Sequence, residues 1–512
     1  MKKAIYILMY ALALTACYKD LSKEASIIIP DLVVTGMPET LDVVYGQEIT
    51  ISVKAYMGEK TGADFEYLWE IDLTADNPNN RVELGTEATL TYQVNNTPSS
   101  NPYLLDVRVT DPATGLQAIK SCFVHVGSSL GEGLLVAYTR QDGVTSEFDI
   151  VSTPQVTYGY TGDPRIVRGL YALANGAPYP EKITCLLQTV ESDNAVYNVR
   201  RIIAGSLNHV IAIDPLTFEE REKDAQLFNS TTITEFGPSI LFNSAGYSSY
   251  MFIGGQAYAH LCNIDNVYAK LSNSLEHPIV FSPTNVGWAC LDQGRTVVFN
   301  ENDGFYEALA YQLLGGGFFK MDVDDDLSFN PVGAHSIMGG CLRNMRPAFL
   351  IQDAAGSYHI AVIVPGSNSD SLFCVPFDGE NIADAVSVAF CDSGDLMYYA
   401  TENTIYSTII SGNTSQTSKL NWSPDSADEK ITFIKQYTQA WYGTMQMFPS
   451  DYGFILPTHR NMLIIVTQNS RTGEGKFYLR GFNVNNGRFT ISGNYGSYGG
   501  FGEITAIAST LR

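Results

Sequence analysis

From about residue 28 the chain alternates apolar and polar positions with a period of two. In Glu48–Met57, the residues Ile49, Ile51, Val53, Ala55 and Met57 fall on one face; in Phe65–Ile71, Phe65, Tyr67, Trp69 and Ile71 do. Leu90, Tyr92 and Val94 repeat the pattern, and Leu105, Val107 and Val109 repeat it again. Successive side chains of a strand point to opposite faces, so this alternation predicts strands with one buried face. About seven such strands within residues 28–127 predict a Greek-key β-sandwich with Trp69 in its core.

After the linker GSSLGEG at 127–133 the texture changes to aromatic-rich hairpins. LLVAYTR and VTSEFDIV flank Gln141-Asp142-Gly143, and Asp-Gly is a strong turn signal. Val386–Ile410 reads as three strands joined by DSGD and TEN. Units of three or four antiparallel strands recur about every 45 to 70 residues to the C-terminus, which predicts a β-propeller of about seven blades over 128–512. Glu503–Thr510 (EITAIAST) is predicted to close the ring by pairing in the blade that holds LLVAYTR, which removes exposed sheet edges. The expected fold class is all-β.

Residues 1–16 do not fit this pattern. Lys2 and Lys3 precede the apolar run AIYILMYALALTA, 13 residues at 4–16. As a helix that run reaches roughly 20 Å, too short for a hydrocarbon core of about 30 Å. A charged head, a short apolar stretch and a small-residue exit make a cleaved export signal. Leu14-Thr15-Ala16-Cys17 resembles the lipobox of bacterial lipoproteins, which implies cleavage before Cys17 and lipidation of its thiol. Several acyl chains hold a protein stably at a bilayer, where one is marginal. The expected order is signal peptide 1–16, tether 17–27, sandwich 28–127 and propeller 128–512. Tyr18-Lys19-Asp20 and Lys23-Glu24 resemble the signal that sends Bacteroidetes lipoproteins to the outer face of the outer membrane.

Charge narrows the partners. The formal charge is −23, with 54 acidic and 31 basic residues. Nucleic acid is excluded, because binding it needs clustered Lys and Arg. Anionic headgroups repel such a surface, so membrane contact is expected through the lipid only. Apart from Cys17, seven cysteines (122, 185, 262, 290, 341, 374 and 391) are scattered without a C-x-x-C pair, and most read as buried thiols in strands.

YLWEI, LTYQV and YLLDVRVTDPATG resemble a PKD (polycystic-kidney-disease type, immunoglobulin-like) domain, although Glu70-Ile71-Asp72 replaces the usual turn after Trp69. The order of lipobox, PKD-like domain and propeller-like repeats resembles the PKD-like lipoprotein family of Bacteroidetes. That resemblance implies an accessory surface lipoprotein of a SusC/SusD-type TonB-dependent nutrient uptake system, lipid-anchored in the outer membrane and facing outward. It would bind a glycan or oligopeptide ligand or dock on the transporter. The alternative is a secreted-face β-propeller hydrolase or lyase acting on polysaccharide or peptide.

No catalytic motif supports that alternative. Glu276-His277 lacks the second histidine of a zinc helix. Gly127–Gly131 fits G-x-S-x-G by letter but joins two β domains, where a nucleophile elbow needs a strand and a helix. Asp322, Asp324 and Asp326 echo the first three ligands of a calcium loop, yet Leu327 stands at the glycine turn and Gly333 at the bidentate glutamate. An exposed acidic loop is the reading, with structural calcium the alternative and no other cofactor expected. Trp288, Trp422, Trp441 and Tyr442 lie in or near loop-like segments and are the candidate ligand-binding rings. Asp370-Ser371-Leu372 and Asp425-Ser426-Ala427 resemble Bacteroidetes O-glycosylation sites.

Overall fold

The computed structural model describes residues 30–510 except 45–46, 74–79, 97–101, 128–131, 158–159, 194–195, 216, 230–232, 234–235, 237–239, 245–247, 254–255, 262–267, 273, 277–278, 280–285, 289–295, 310–316, 324–326, 365–369 and 440–454. The chain divides into two compact units, 1–129 and 130–512.

The first unit is all-β. A five-stranded sheet runs in the order Thr40–Val44, Gln117–Gly127, Tyr103–Thr110, Glu66–Asp72, Arg81–Gly85, with its first pair parallel and the rest antiparallel. Glu48–Ser52 pairs with Thr89–Gln93, and Val33–Thr35 with Lys54–Tyr56. The period-two residues make one core, in which Ile51, Trp69, Leu90, Leu105, Val107 and Val109 are all buried. Trp69 is fully enclosed and its indole N–H donates to the Glu87 carbonyl at 2.8 Å, so the ring is core packing with its one polar atom satisfied.

The second unit is a seven-bladed propeller. Its seven sheets each have four antiparallel strands. The innermost strands of blades I to VII are Glu503–Thr510, Ile183–Asp193, Ile240–Ser244, Val286–Trp288, His335–Leu342, Ser387–Cys391 and Glu429–Gln436. Blade I joins the two ends of the unit: Glu503–Thr510 pairs with Gly133–Thr139, as expected from the sequence. Asp142-Gly143 makes the next turn of that blade, with Gly143 at φ 73°, and Gly133–Thr139 then pairs with Ser146–Ser152.

Stacking of blades explains why these strands are apolar on both faces. Leu134 and Val136 pack toward blade VII, while Leu135 and Ala137 pack toward blade II. Tyr399 faces blade V and Tyr398 faces blade VII. Seven apolar clusters fill the seven gaps between successive blades, including the one between VII and I. Each buried aliphatic or aromatic side chain contributes about 1.5–3 kcal/mol of transfer free energy. The ring therefore closes through burial as well as through strand pairing.

Closure also has a polar clasp. Arg168 donates to the Asp149 carboxylate in blade I at 2.8 Å and to the carbonyls of Gly499 and Gly500 in blade VII at 2.8 and 3.0 Å, while its guanidinium lies over Phe501.

Candidate functional site

The turn after the innermost strand of blade VI, Asp392-Ser393-Gly394-Asp395, is where three blades meet in hydrogen bonds. It is tight because a Cβ on Gly394 would lie 2.6 Å from the Val484 carbonyl of blade VII. From blade V, the Arg343 amide donates to the Gly394 carbonyl at 2.9 Å, its Nε donates to the Ser393 carbonyl at 3.3 Å, and Arg346 pairs with Asp395. From blade VII, Arg460 Nε donates to Asp392 Oδ2 at 2.7 Å, and its Nη2 pairs with the same oxygen.

Gln436 ties the two sides together. Its Oε1 accepts the Asp392 amide at 3.2 Å, and its Nε2 donates to the Arg460 carbonyl at 2.8 Å and to Ser393 Oγ at 3.3 Å. Ser393 Oγ donates to the same Arg460 carbonyl at 2.5 Å. Arg460 itself has φ 60°, a left-handed conformation uncommon for a branched-chain-sized residue, and Asn344 beside the blade V arginines has φ 58°. Such backbone persists where surrounding bonds over-determine it, and it clusters at functional sites.

Asp392 is the unusual group. It is buried, and burial pushes its carboxyl above the ordinary range while the Arg460 guanidinium pulls it back. Oδ2 takes both Arg460 bonds, whereas Oδ1 is enclosed and has no hydrogen-bond partner. An unsatisfied buried acceptor costs about 1–3 kcal/mol, more when charged. The turn thus gathers a carboxylate, guanidinium groups and a side-chain amide in one place, the donor and acceptor types that recognise hydroxyl or ammonium groups.

The neighbouring residue, His459, is held neutral. Burial first, and the Arg460 charge second, lower its pKa to about 3, and its Nδ1 accepts the Gln439 amide at 2.9 Å. Thr458 bonds to the Gln155 carbonyl of blade I, so the returning segment of blade VII is fixed on both sides.

A second pair of buried acids is structural. Burial raises the carboxyls of both Glu147 and Asp149. Glu147 Oε1 accepts the amides of Phe148, Tyr171 and Ala172, and Asp149 accepts Gly169 N–H, Tyr138 OH and Arg168. These bonds occupy them as a brace for the 168–172 segment.

Those of the sequence-predicted residues that the structure describes do not gather here. Cys17, Trp441, Tyr442, Asp324 and Asp326 lie outside the described residues, and Asp322 is exposed. Trp288 ends the innermost strand of blade IV, opposite Thr296, with its side chain outside the description. Trp422 lies between the outermost strand of blade VI and the innermost of blade VII, at the other end of the blades from Asp392. Its half-buried ring meets Tyr478 edge to face at 5.3 Å, so it packs against the core between blades VI and VII. Asp425, of the glycosylation-like triplet, accepts Lys476 at 3.2 Å and Ser497 at 3.1 Å. Among the described residues no group of three or more His, Cys, Asp and Glu side chains is arranged to hold a metal ion. Cys122, Cys374 and Cys391 are free thiols.

No family model matches the chain, and no curated protein matches it. Among solved structures it is similar to a quinonprotein alcohol dehydrogenase-like protein from Bacteroides thetaiotaomicron, with 12% identity, a TM-score of 0.43, and 94% of this chain and 99% of that one covered. It is also similar to apo AztD from Citrobacter koseri, at 10% identity and TM-score 0.37 over 87% and 98% of the two chains. A third is Sqt1 from Chaetomium thermophilum, at 10% identity and TM-score 0.38 over 80% and 87%. Likeness this distant transfers no activity.

Proposed function

We propose that this chain is an outer-membrane lipoprotein, anchored through Cys17 and facing the cell exterior, that serves as an accessory ligand-binding or docking subunit of a SusC/SusD-type nutrient uptake system. In this reading the N-terminal unit is a PKD-like sandwich that follows the anchor, and the propeller makes the contact with glycan or oligopeptide. The leader and Leu14–Cys17 support the anchor. The observation that carries the binding role is the turn at Asp392, where a buried carboxylate, Arg460, Gln436, Ser393 and Arg343 from three blades come together. Alternating acceptors and donors of this kind match the hydroxyls of a sugar or the amine and amide groups of a peptide.

The test is purification of the tethered protein with its native membrane partners, followed by a glycan and oligopeptide binding panel on wild type and Asp392→Asn. Co-isolation of a TonB-dependent barrel, with ligand affinity at least about tenfold weaker in the folded variant, is the expected result. A chain that comes out alone, with an unmodified Cys17 and no ligand, overturns the proposal.

The raised Asp392 carboxyl favours one second reading, a hydrolase or lyase of the exterior face, because a general acid draws on a carboxyl lifted above its ordinary range. Turnover of a polysaccharide or peptide from the same panel, abolished in Asp392→Asn, would select it.

A further inference from the structure

We infer that the axial channel of the propeller carries a binding site for a small anion, a carboxylate or an inorganic oxyanion, centred on Lys435. The site is independent of the Asp392 reading. Side chains alternate along the innermost strand of blade VII: Gln436 reaches blade VI, and Lys435 reaches the other way. Lys435 Nζ donates to the Ile507 carbonyl of blade I at 3.0 Å, so the ammonium sits between the innermost strands of blades VII and I. The Cys185 thiol of the innermost strand of blade II lies close enough to interact with it electrostatically. Lys435 is nevertheless exposed to solvent. On a strand at the centre of the ring, the water that reaches it is the water of the channel.

Among the described residues no carboxylate lies within ion-pair distance of Lys435, although the chain holds 54 acids against 31 bases. An ammonium has three N–H donors, and one is used by the Ile507 carbonyl. Two remain, and the ammonium is enclosed by protein, where the interaction with an opposite charge is stronger than in bulk water. Enclosure without a partner holds the Lys435 pKa below the ordinary lysine range. An anion supplies the missing charge and occupies the remaining donors. A lysine suits it as a compact point charge.

The experiment titrates sodium acetate and sodium phosphate separately against the full chain at constant ionic strength in chloride, and reads the melting temperature of wild type, Lys435→Met and Lys435→Arg. The expected result is a saturable rise of at least about 2 °C in wild type with one or both anions, retained in Lys435→Arg and absent in Lys435→Met. Which anion saturates at the lower concentration assigns the ligand as carboxylate or phosphate-like. In parallel, amine acylation of native wild type is mapped by mass spectrometry, and the same anion should slow labelling of Lys435 by at least about tenfold relative to surface lysines. This second measurement decides the matter if Lys435→Met does not fold. Equal shifts in wild type and folded Lys435→Met, or Lys435 labelling unchanged at saturating anion, would overturn the inference.

Discussion

His459 makes a pH-dependent contribution to stability whose size and sign follow from its setting. Its Nδ1 accepts the Gln439 amide, so that nitrogen holds a lone pair and not a proton, and protonation would set two N–H groups against each other. Burial and the Arg460 charge lower its folded pKa from 6.5 to about 3. A folded pKa depressed below the unfolded one means that the unfolded chain takes up the proton first. The contribution is therefore intact above pH 6.5 and declines as pH falls, until the folded imidazole titrates near pH 3. Each pH unit in that window is worth about 1.4 kcal/mol, so the loss is about 2 kcal/mol at pH 5 and about 4 kcal/mol at pH 3. Carboxylates elsewhere also respond to acid, and a paired variant cancels them. His459→Gln keeps an acceptor for the Gln439 amide and removes the titration. The assay is hydrogen exchange of the Glu429–Gln436 and Met462–Asn469 amides at pH 7 and pH 5, converted to opening free energy for both proteins. The advantage of wild type over the variant should shrink by about 2 kcal/mol between the two pH values. An advantage unchanged to within about 0.5 kcal/mol, or larger at pH 5, would refute a neutral buried imidazole.

Two further substitutions probe ring closure. Arg168→Met leaves the buried Asp149 carboxylate without its cation and removes the bonds to Gly499 and Gly500; with the arginine itself half exposed, the loss should be about 2–3 kcal/mol, read as a lower urea midpoint with an unchanged m-value. Gly502→Ala would place a Cβ 1.9 Å from the Thr139 carbonyl, between backbones that cannot move aside without disturbing the pairing of Gly133–Thr139 with Glu503–Thr510. It should destabilise by about 3 kcal/mol or more by the same measure, and a neutral effect would show that this contact is not a constraint on closure.

What was legible in the sequence was whatever one strand or one turn could announce. Ile49 to Met57 and Phe65 to Ile71 show period two because each has one buried face, and every one of those apolar positions is buried. Val386–Ile410 broke into three strands at DSGD and TEN because those residues favour turns, and the pairing of Ser387–Cys391, Leu396–Ala400 and Ile405–Ser411 follows. The Asp392 cluster was not legible, for a reason that lies in the architecture. Asp392 and Gln436 are 44 positions apart, and Asp392 and Arg460 are 68 apart. Asp392 follows a strand, Gln436 ends one and Arg460 precedes one, and only the stacking of blade VII on blade VI brings them together. Aromatic content pointed to Trp422, but a tryptophan in a polar segment still buries its face when a neighbouring strand offers Tyr478. A propeller builds its sites from the ends of different blades, so a search for motifs along one chain segment finds the walls first. What marks the site instead is a set of local rules broken together: a left-handed arginine, a carboxylate oxygen without a donor, and a histidine denied its proton within a few residues of one another in space or sequence. Departures of this kind cluster at functional sites, and their meeting at one turn is what singles out the Asp392 cluster as the candidate.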